Sequence, residues 1–128
     1  MNLSDDEFLR AFEAFEIPND QFHHRDHIRL AWICLHRAPP PEAEQRIAQA
    51  VKNFATHLGH SEKYHHTITL AWMRLVAKAP WQLSFDELIA QAPQLLDKNT
   101  LARHYSSAIL ETGAARNGWV EPDLEPFE

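Results

Sequence analysis

Residues 22–36 read FHHRDHIRLAWICLH, and no other stretch indicates the fold as clearly. Its large apolar side chains recur at spacings of three and four residues, as on one face of an α-helix. They are Ile28, Ala31, Trp32 and Leu35. The pattern predicts a helix from about His24 to His36, ended by the prolines at 39–41.

Residues 64–75, YHHTITLAWMRL, repeat this pattern at an offset of 40 residues. They predict another core helix from about His65 to Ala79, and we expect Trp32 and Trp72 to be buried at equivalent places in the two helices. An old duplication of a helical hairpin would explain the likeness, and so would convergence of two core helices on Leu-Ala-Trp. Both interpretations stay open, because repeat architectures need more copies than two.

Capping signals and prolines divide the rest of the chain into further helices. SDDE at residues 4–7 and SFDE at residues 84–87 are capping boxes, which start helices. Four more helices are predicted: from Ser4 to before Pro18, and at about residues 41–58, 84–92 and 99–110.

From Gly113 onward the pattern predicts an extended tail, residues 113–128, that packs on the helices. No run of residues resembles a convincing strand. We therefore predict an all-α fold, a single-domain helical bundle of about six helices over residues 1–128.

Composition narrows the classes of protein. The chain has 128 residues, 45% of them hydrophobic, which fits one domain. A formal net charge of −6 without a Lys/Arg cluster argues against nucleic acid as a partner. The acidic start and short apolar runs argue against a signal peptide and a membrane partner. Cys34 is the only cysteine, which suits the reducing cytoplasm. The oligomeric state stays open between monomer and homodimer.

The nine histidines are the unusual feature of the composition. His24 and His27 are three residues apart, so they share a helix face, and neutral imidazole is the commonest transition-metal ligand. With His65 as third ligand they would form a zinc- or iron-type divalent metal site with an open position, or a set of acid-base groups. The alternative is structural: histidines that cap helix starts and line the boundary between core and solvent.

A second polar cluster lies in LLDKNTLARHYS, residues 95–106. A buried pair of His104 and Tyr105 can transfer protons, and Arg103 can bind an anionic substrate. The alternative is a capped helix with a solvated arginine and a core tyrosine. Trp119 and Val120 are expected to fold back onto the bundle, with a lid over a site as the functional alternative.

The strings FHHRDHIRLAW, KYHHTITLAW, LLDKNTLARHYS and WVEPDLEP resemble those of a family of small bacterial proteins. The family pattern is His-x-x-His-Leu…Ala-Trp, Tyr-His-x-Thr-x-Thr, Leu-Leu-x-Lys…Tyr-Ser and Pro-Asp-Leu-x-Pro, and the resemblance covers about residues 8–126. The resemblance does not indicate which reaction, if any, the protein catalyses. It implies a set of site residues: His24, His27, Tyr64, His65, Thr67 and Tyr105. The neighbouring His23 and His66 leave open which ring of each pair is used.

Two hypotheses of function follow. The first is an enzyme, either metal-dependent or using acid-base groups alone, that acts on a small polar molecule in a cavity between the second, fourth and sixth helices. Its metal ligands would be His24, His27 and His65. Those three residues and Tyr105 would be catalytic, and the substrate would be bound by Tyr64, Thr67, Arg103 and His104. The second hypothesis is a non-catalytic module that binds a small molecule or another protein.

Overall fold

A computed structural model describes residues 3–80 and 82–127. Within them the chain is all-helical, as predicted, with seven α-helices and no strand. The α-helices are α1 Asp5–Glu13, α2 His24–Leu35, α3 Pro40–His57, α4 His66–Ala77, α5 Phe85–Gln91, α6 Ser107–Leu110 and α7 Gly113–Asn117. Short 3-10 helices lie at Asn19–Gln21, Ser61–Lys63, Pro93–Leu96 and Lys98–Arg103.

Residue contacts divide the chain into two compact units. The first extends to Tyr64 and contains α1–α3, and the second begins at His65 and contains α4–α7. The single domain over residues 1–128 stays a prediction.

In the first unit, α1 packs against both α2 and α3. The predicted capping box is present: Glu7 N donates to Ser4 Oγ at 3.2 Å, and Ser4 N donates to the Glu7 carboxylate at 2.9 Å. Phe12 is fully buried, and its ring centroid lies 4.7 Å from those of Phe22 and Phe54. This aromatic cluster forms the centre of the first unit.

Ion pairs hold α1 against the other two helices. Arg46 of α3 binds the Glu13 carboxylate through two nitrogens, at 2.9 and 3.0 Å. Arg29 of α2 reaches the Asp5 carboxylate at 3.1 Å, and Arg37, just after the end of α2, pairs with Asp6. Exposed pairs of this kind contribute at most about 1 kcal/mol each, so they orient α1 more than they stabilise it.

In the second unit, α4 begins after His65 and packs against α7. The predicted capping box of α5 is present, with Glu87 N donating to Ser84 Oγ at 3.2 Å. Trp72 is 3% exposed, as expected for a core residue. Its sequence counterpart in the first unit, Trp32, is only partly buried, so the two helices are not equivalent in their surroundings.

The predicted sixth helix, residues 99–110, is wrong as a single element. The chain forms the 3-10 helix Lys98–Arg103, leaves helical geometry at Ser106 (φ −73°, ψ 154°), and restarts as α6. Ser106 caps α6, because its side chain accepts the Ile109 amide at 3.2 Å. A capping serine in the middle of the apolar pattern therefore divided the helix in two.

The predicted extended tail is also wrong over its first residues. Gly113–Asn117 forms α7, capped by Thr112, whose hydroxyl accepts the Ala115 amide at 3.1 Å. Residues 118–127, the last that the structure describes, are non-helical. No helix among the described residues is long and apolar enough to cross a membrane.

The aromatic cluster of the first unit leads to a stability prediction. Phe12→Ala should lower the free energy of unfolding by about 3–5 kcal/mol, because it removes a fully buried ring and leaves a cavity. Phe15→Ala is the control, since that ring is 39% exposed, and it should cost less than about 1 kcal/mol. Denaturant unfolding measures both, and equal losses would contradict the assignment of Phe12 to the core.

Candidate functional site

His27 is the most unusual titratable residue of the first unit. It lies in the first turns of α2, and its ring stacks on Phe22 with 6.4 Å between the centroids. Part of the residue is exposed, but Nε2 is fully buried and has no hydrogen-bond partner among the described residues. Burial and the neighbouring charge of His24 lower the pKa of His27 to about 4. The imidazole is therefore neutral near pH 7, which is the form that binds metals or accepts a proton.

The doubled histidines of the first unit occupy different positions. His23 is the exposed N-cap of α2, and its amide donates to the Asp26 carboxylate at 2.9 Å. His24 is the first residue of the helix and is partly buried. Of the three histidines, His27 alone places a fully buried ring nitrogen in the interior without a partner among the described residues.

In the second unit, both ring nitrogens of His65 contact the backbone. Nδ1 accepts the Ile68 amide at 3.1 Å and so caps α4. Nδ1 therefore carries no proton, and Nε2 donates to the Leu110 carbonyl at 2.7 Å. His65 fixes the start of α4 and joins it to α6. To bind a metal, it would have to give up one of these hydrogen bonds.

The described residues contain no group of three or more His, Cys, Asp or Glu side chains arranged to hold a metal ion. The metal set of His24, His27 and His65 stays a prediction. Tyr64, predicted to bind substrate, is partly buried and ends the 3-10 helix Ser61–Lys63.

The remaining predicted site residues of the second unit hold one segment of the chain, residues 118–127, which we call the C-terminal strap. The Thr67 hydroxyl donates to the Gly118 carbonyl at 2.6 Å and accepts the Val120 amide at 3.2 Å. The Tyr105 hydroxyl donates to the Val120 carbonyl at 2.8 Å. Thr67 and Tyr105 are both almost completely buried, so these hydrogen bonds satisfy polar atoms that water does not reach.

His104 and Arg103 bind the later part of the strap. His104 Nδ1 donates to the Glu125 carbonyl at 2.7 Å, and the ring lies 4.7 Å from that of Phe127. The backbone carbonyls of both residues accept strap amides, from Leu124 at 3.0 Å and Glu125 at 3.1 Å. The Arg103 guanidinium is exposed and lies 3.5 Å from the Glu125 carboxylate.

Two further contacts of the strap were not predicted. The Asp123 carboxylate accepts the Ser106 amide at 2.9 Å and hydroxyl at 2.6 Å, and these hydrogen bonds lower the pKa of Asp123. The Arg74 guanidinium covers the Trp119 ring at 3.9 Å from its centroid. Arginine above tryptophan is a favourable cation–π pair. The sequence signal was present in the Pro-Asp-Leu-x-Pro pattern, but nothing in it identified Ser106 as the partner.

The polar cluster of the second unit is thus a binding site for the protein's own chain. Thr67, His104 and Tyr105 use their polar atoms on strap carbonyls or amides. Burial, together with the charge of Glu121, raises the pKa of Tyr105 above its usual range, so its hydroxyl stays protonated. This geometry favours a structural role, the alternative left open from the sequence for this cluster, while the catalytic and substrate roles stay predictions.

A separate pocket lies in the second unit, at the C-terminal ends of α4 and α5. It has a volume of about 290 Å³. Its apolar wall consists of Leu75, Ala79, Pro80, Leu83, Leu88, Ala92 and Leu95. Polar side chains also line it: Lys78, Gln91, Gln94 and Thr100. We call it the α4–α5 pocket. No predicted site residue lines it, because leucines and glutamines carry no catalytic signal in a sequence.

The strap contacts lead to a second prediction. Thr67→Val should destabilise the strap by about 1–3 kcal/mol, because Gly118 O and Val120 N lose their buried partner. Hydrogen exchange at the Val120 amide should then become about tenfold faster or more.

The control for this prediction is Thr69→Val, two residues further along α4. The Thr69 hydroxyl donates to the His65 carbonyl, which already accepts the Thr69 amide. This variant should leave the Val120 amide unchanged. Equal acceleration in both variants would show that Thr67 does not hold the strap.

His27 leads to a prediction of pH dependence. Its pKa is about 4 in the folded chain and 6.5 as its ordinary value, so the unfolded chain binds the proton more tightly. The contribution of neutral His27 to stability is therefore fully present above pH 6.5. It is lost as the pH drops toward 4, which lowers the free energy of unfolding by about 3 kcal/mol in all. His27→Gln does not titrate and should flatten the curve of unfolding free energy between pH 6.5 and 5 in metal-free protein. An unchanged slope would contradict the burial of this imidazole.

Comparison of the chain with protein-family models, with curated proteins and with solved structures finds no match. The resemblance drawn from its motifs stays a prediction, and the function has to be argued from the geometry of the two units.

Proposed function

We propose that the protein binds a small molecule and that the α4–α5 pocket is the binding site. The observation that carries this proposal is the pocket itself, about 290 Å³ in volume, within one compact unit. Ligand pockets in proteins typically have volumes of about 300 Å³ or more, so this pocket suits a small ligand.

The lining of the pocket supports this function. Leu88 and Leu95 are buried and form part of an apolar wall, whereas Lys78, Gln91 and Gln94 are exposed side chains on the same pocket. A mostly apolar surface with a few polar groups is the usual composition of a small-molecule site, because apolar burial supplies affinity and polar groups set orientation.

The experiment uses 1-hexanol, a neutral amphipathic probe, titrated into protein with isotope-labelled methyl groups. We expect saturable chemical-shift changes at the methyls of Leu88 and Leu95, which line the pocket. Ala92→Phe should abolish these changes, since a phenyl ring on the wall occupies the volume that the probe needs.

The matched control is Ala90→Phe, two residues earlier on α5 and fully outside the pocket lining. It should bind hexanol like the unmodified chain. If the shift changes are linear up to millimolar probe, or if both phenylalanine variants behave alike, the proposed function fails. Circular dichroism verifies that both variants keep their helices.

A second candidate function is metal binding or acid–base chemistry by His24 and His27, the members of the predicted set that lie in the first unit. The observation that favours it is the buried Nε2 of His27, which has no partner among the described residues and belongs to a ring kept neutral by burial. An unsatisfied buried nitrogen costs about 1–3 kcal/mol, and a bound cation would remove that cost. Zinc or iron would be held by the imidazoles and would polarise a substrate or a water molecule.

Zinc titration of untagged protein by calorimetry tests this candidate. One ion per chain is expected, with at least a tenfold loss of affinity in His27→Gln. His57→Gln is the control, because His57 is an exposed histidine of the same unit outside the proposed set. Absence of binding, or an equal loss in both variants, would contradict the metal site.

We also propose a cytoplasmic location. Its support is the single cysteine, Cys34, which is a free thiol buried in the first unit. Burial raises the pKa of this thiol to about 11, so it is unreactive and adds packing rather than chemistry.

A further inference from the structure

The polar groups of the α4–α5 pocket differ in what they offer a ligand. The Thr100 hydroxyl donates its hydrogen to the Gln94 carbonyl at 2.7 Å, so it retains only acceptor capacity. The groups left to donate are the Lys78 ammonium and the side-chain amides of Gln91 and Gln94. The glutamine amides and Thr100 also offer acceptor oxygens, but no carboxylate stands among the described residues of the lining.

The charge of the pocket lining also favours a ligand with an anionic group. Lys78 is the one charged side chain among the described residues that line the pocket. It lies at the C-cap of α4, next to the partial negative charge of the helix end. The Lys78 ammonium can pair with an anionic group placed here and outweighs the partial charge of the helix end, whereas a cationic group would find no carboxylate among the described residues of the lining.

The volume and the wall of the pocket guide the choice of ligand. At about 290 Å³ the pocket lies at the small end of the range for ligand sites, so it suits a molecule with few non-hydrogen atoms. The apolar wall, with Leu75, Leu83, Leu88 and Leu95, requires that most of these atoms be carbon. A carboxylate on an aliphatic chain of about eight carbons satisfies volume, wall and charge together.

We propose that the α4–α5 pocket binds a medium-chain aliphatic carboxylate, with its chain against the leucines and its carboxylate at Lys78. This inference rests on the proposed small-molecule function and adds the chemical class of the ligand. Ligands of this size bind with dissociation constants from about micromolar to millimolar, because they contain few atoms.

The test compares octanoate with 1-octanol, which has nearly the same chain and a neutral head. Octanoate should bind at least tenfold more tightly to the unmodified chain at low ionic strength. Lys78→Gln should remove this preference by weakening octanoate while leaving octanol unchanged. Lys98→Gln is the control, since Lys98 is an exposed lysine of the same unit outside the lining.

Chain length gives a second measurement. Butanoate carries the same carboxylate but fills less of the wall, so it should bind at least tenfold more weakly than octanoate. Equal binding of butanoate and octanoate, with shifts only near Lys78, would indicate a surface ion pair and overturn the proposal.

These measurements distinguish failure of the carboxylate proposal from failure of the small-molecule function. If octanol binds in the pocket as tightly as octanoate, and Lys78→Gln changes neither, the carboxylate class is wrong and the small-molecule function stands. If neither probe binds and Ala92→Phe has no effect, the small-molecule function itself fails.

Discussion

Buried polar atoms need partners, and the second unit is organised around this requirement. After α5 its chain contains only short helices and non-helical segments, which leave backbone amides and carbonyls without regular helical bonds. Thr67, His104 and Tyr105 supply many of the missing partners by binding the strap. Three side chains that the sequence predicted to act on a substrate or to bind it therefore complete the backbone hydrogen bonds of this unit.

The same chemistry explains how far the sequence predicted the fold. The starts of α1 and α5 were predicted nearly correctly, because a capping box and an apolar stripe are local signals. The end of α5 was also nearly correct, whereas α1 ends at Glu13, several residues before the expected break at Pro18. The break at Ser106 and the helix after Thr112 were missed. A serine or threonine inside an apolar pattern is compatible with continuation or with a cap, and only the distant Asp123 decides for Ser106.

The candidate site was less predictable than the fold. Histidines at helical spacing identified His27, whose burial and low pKa are unusual. His65 was identified by the same reasoning, yet its ring caps α4 and binds the Leu110 carbonyl. A ligand and a cap need the same imidazole nitrogen, so spacing alone does not separate them. Residue spacing did not predict the α4–α5 pocket, because a cavity depends on how side chains from several elements pack in three dimensions.

The strap also orders the events of synthesis. Residues 118–127 leave the ribosome after Thr67, Arg74 and Tyr105, the anchors they bind. The contacts within the first unit are complete at Tyr64, so that unit can become compact while the rest of the chain is still being made. The second unit cannot complete its contacts until the strap has been synthesised. Until then, the hydroxyls of Thr67 and Tyr105 and the imidazole of His104 lack their strap partners.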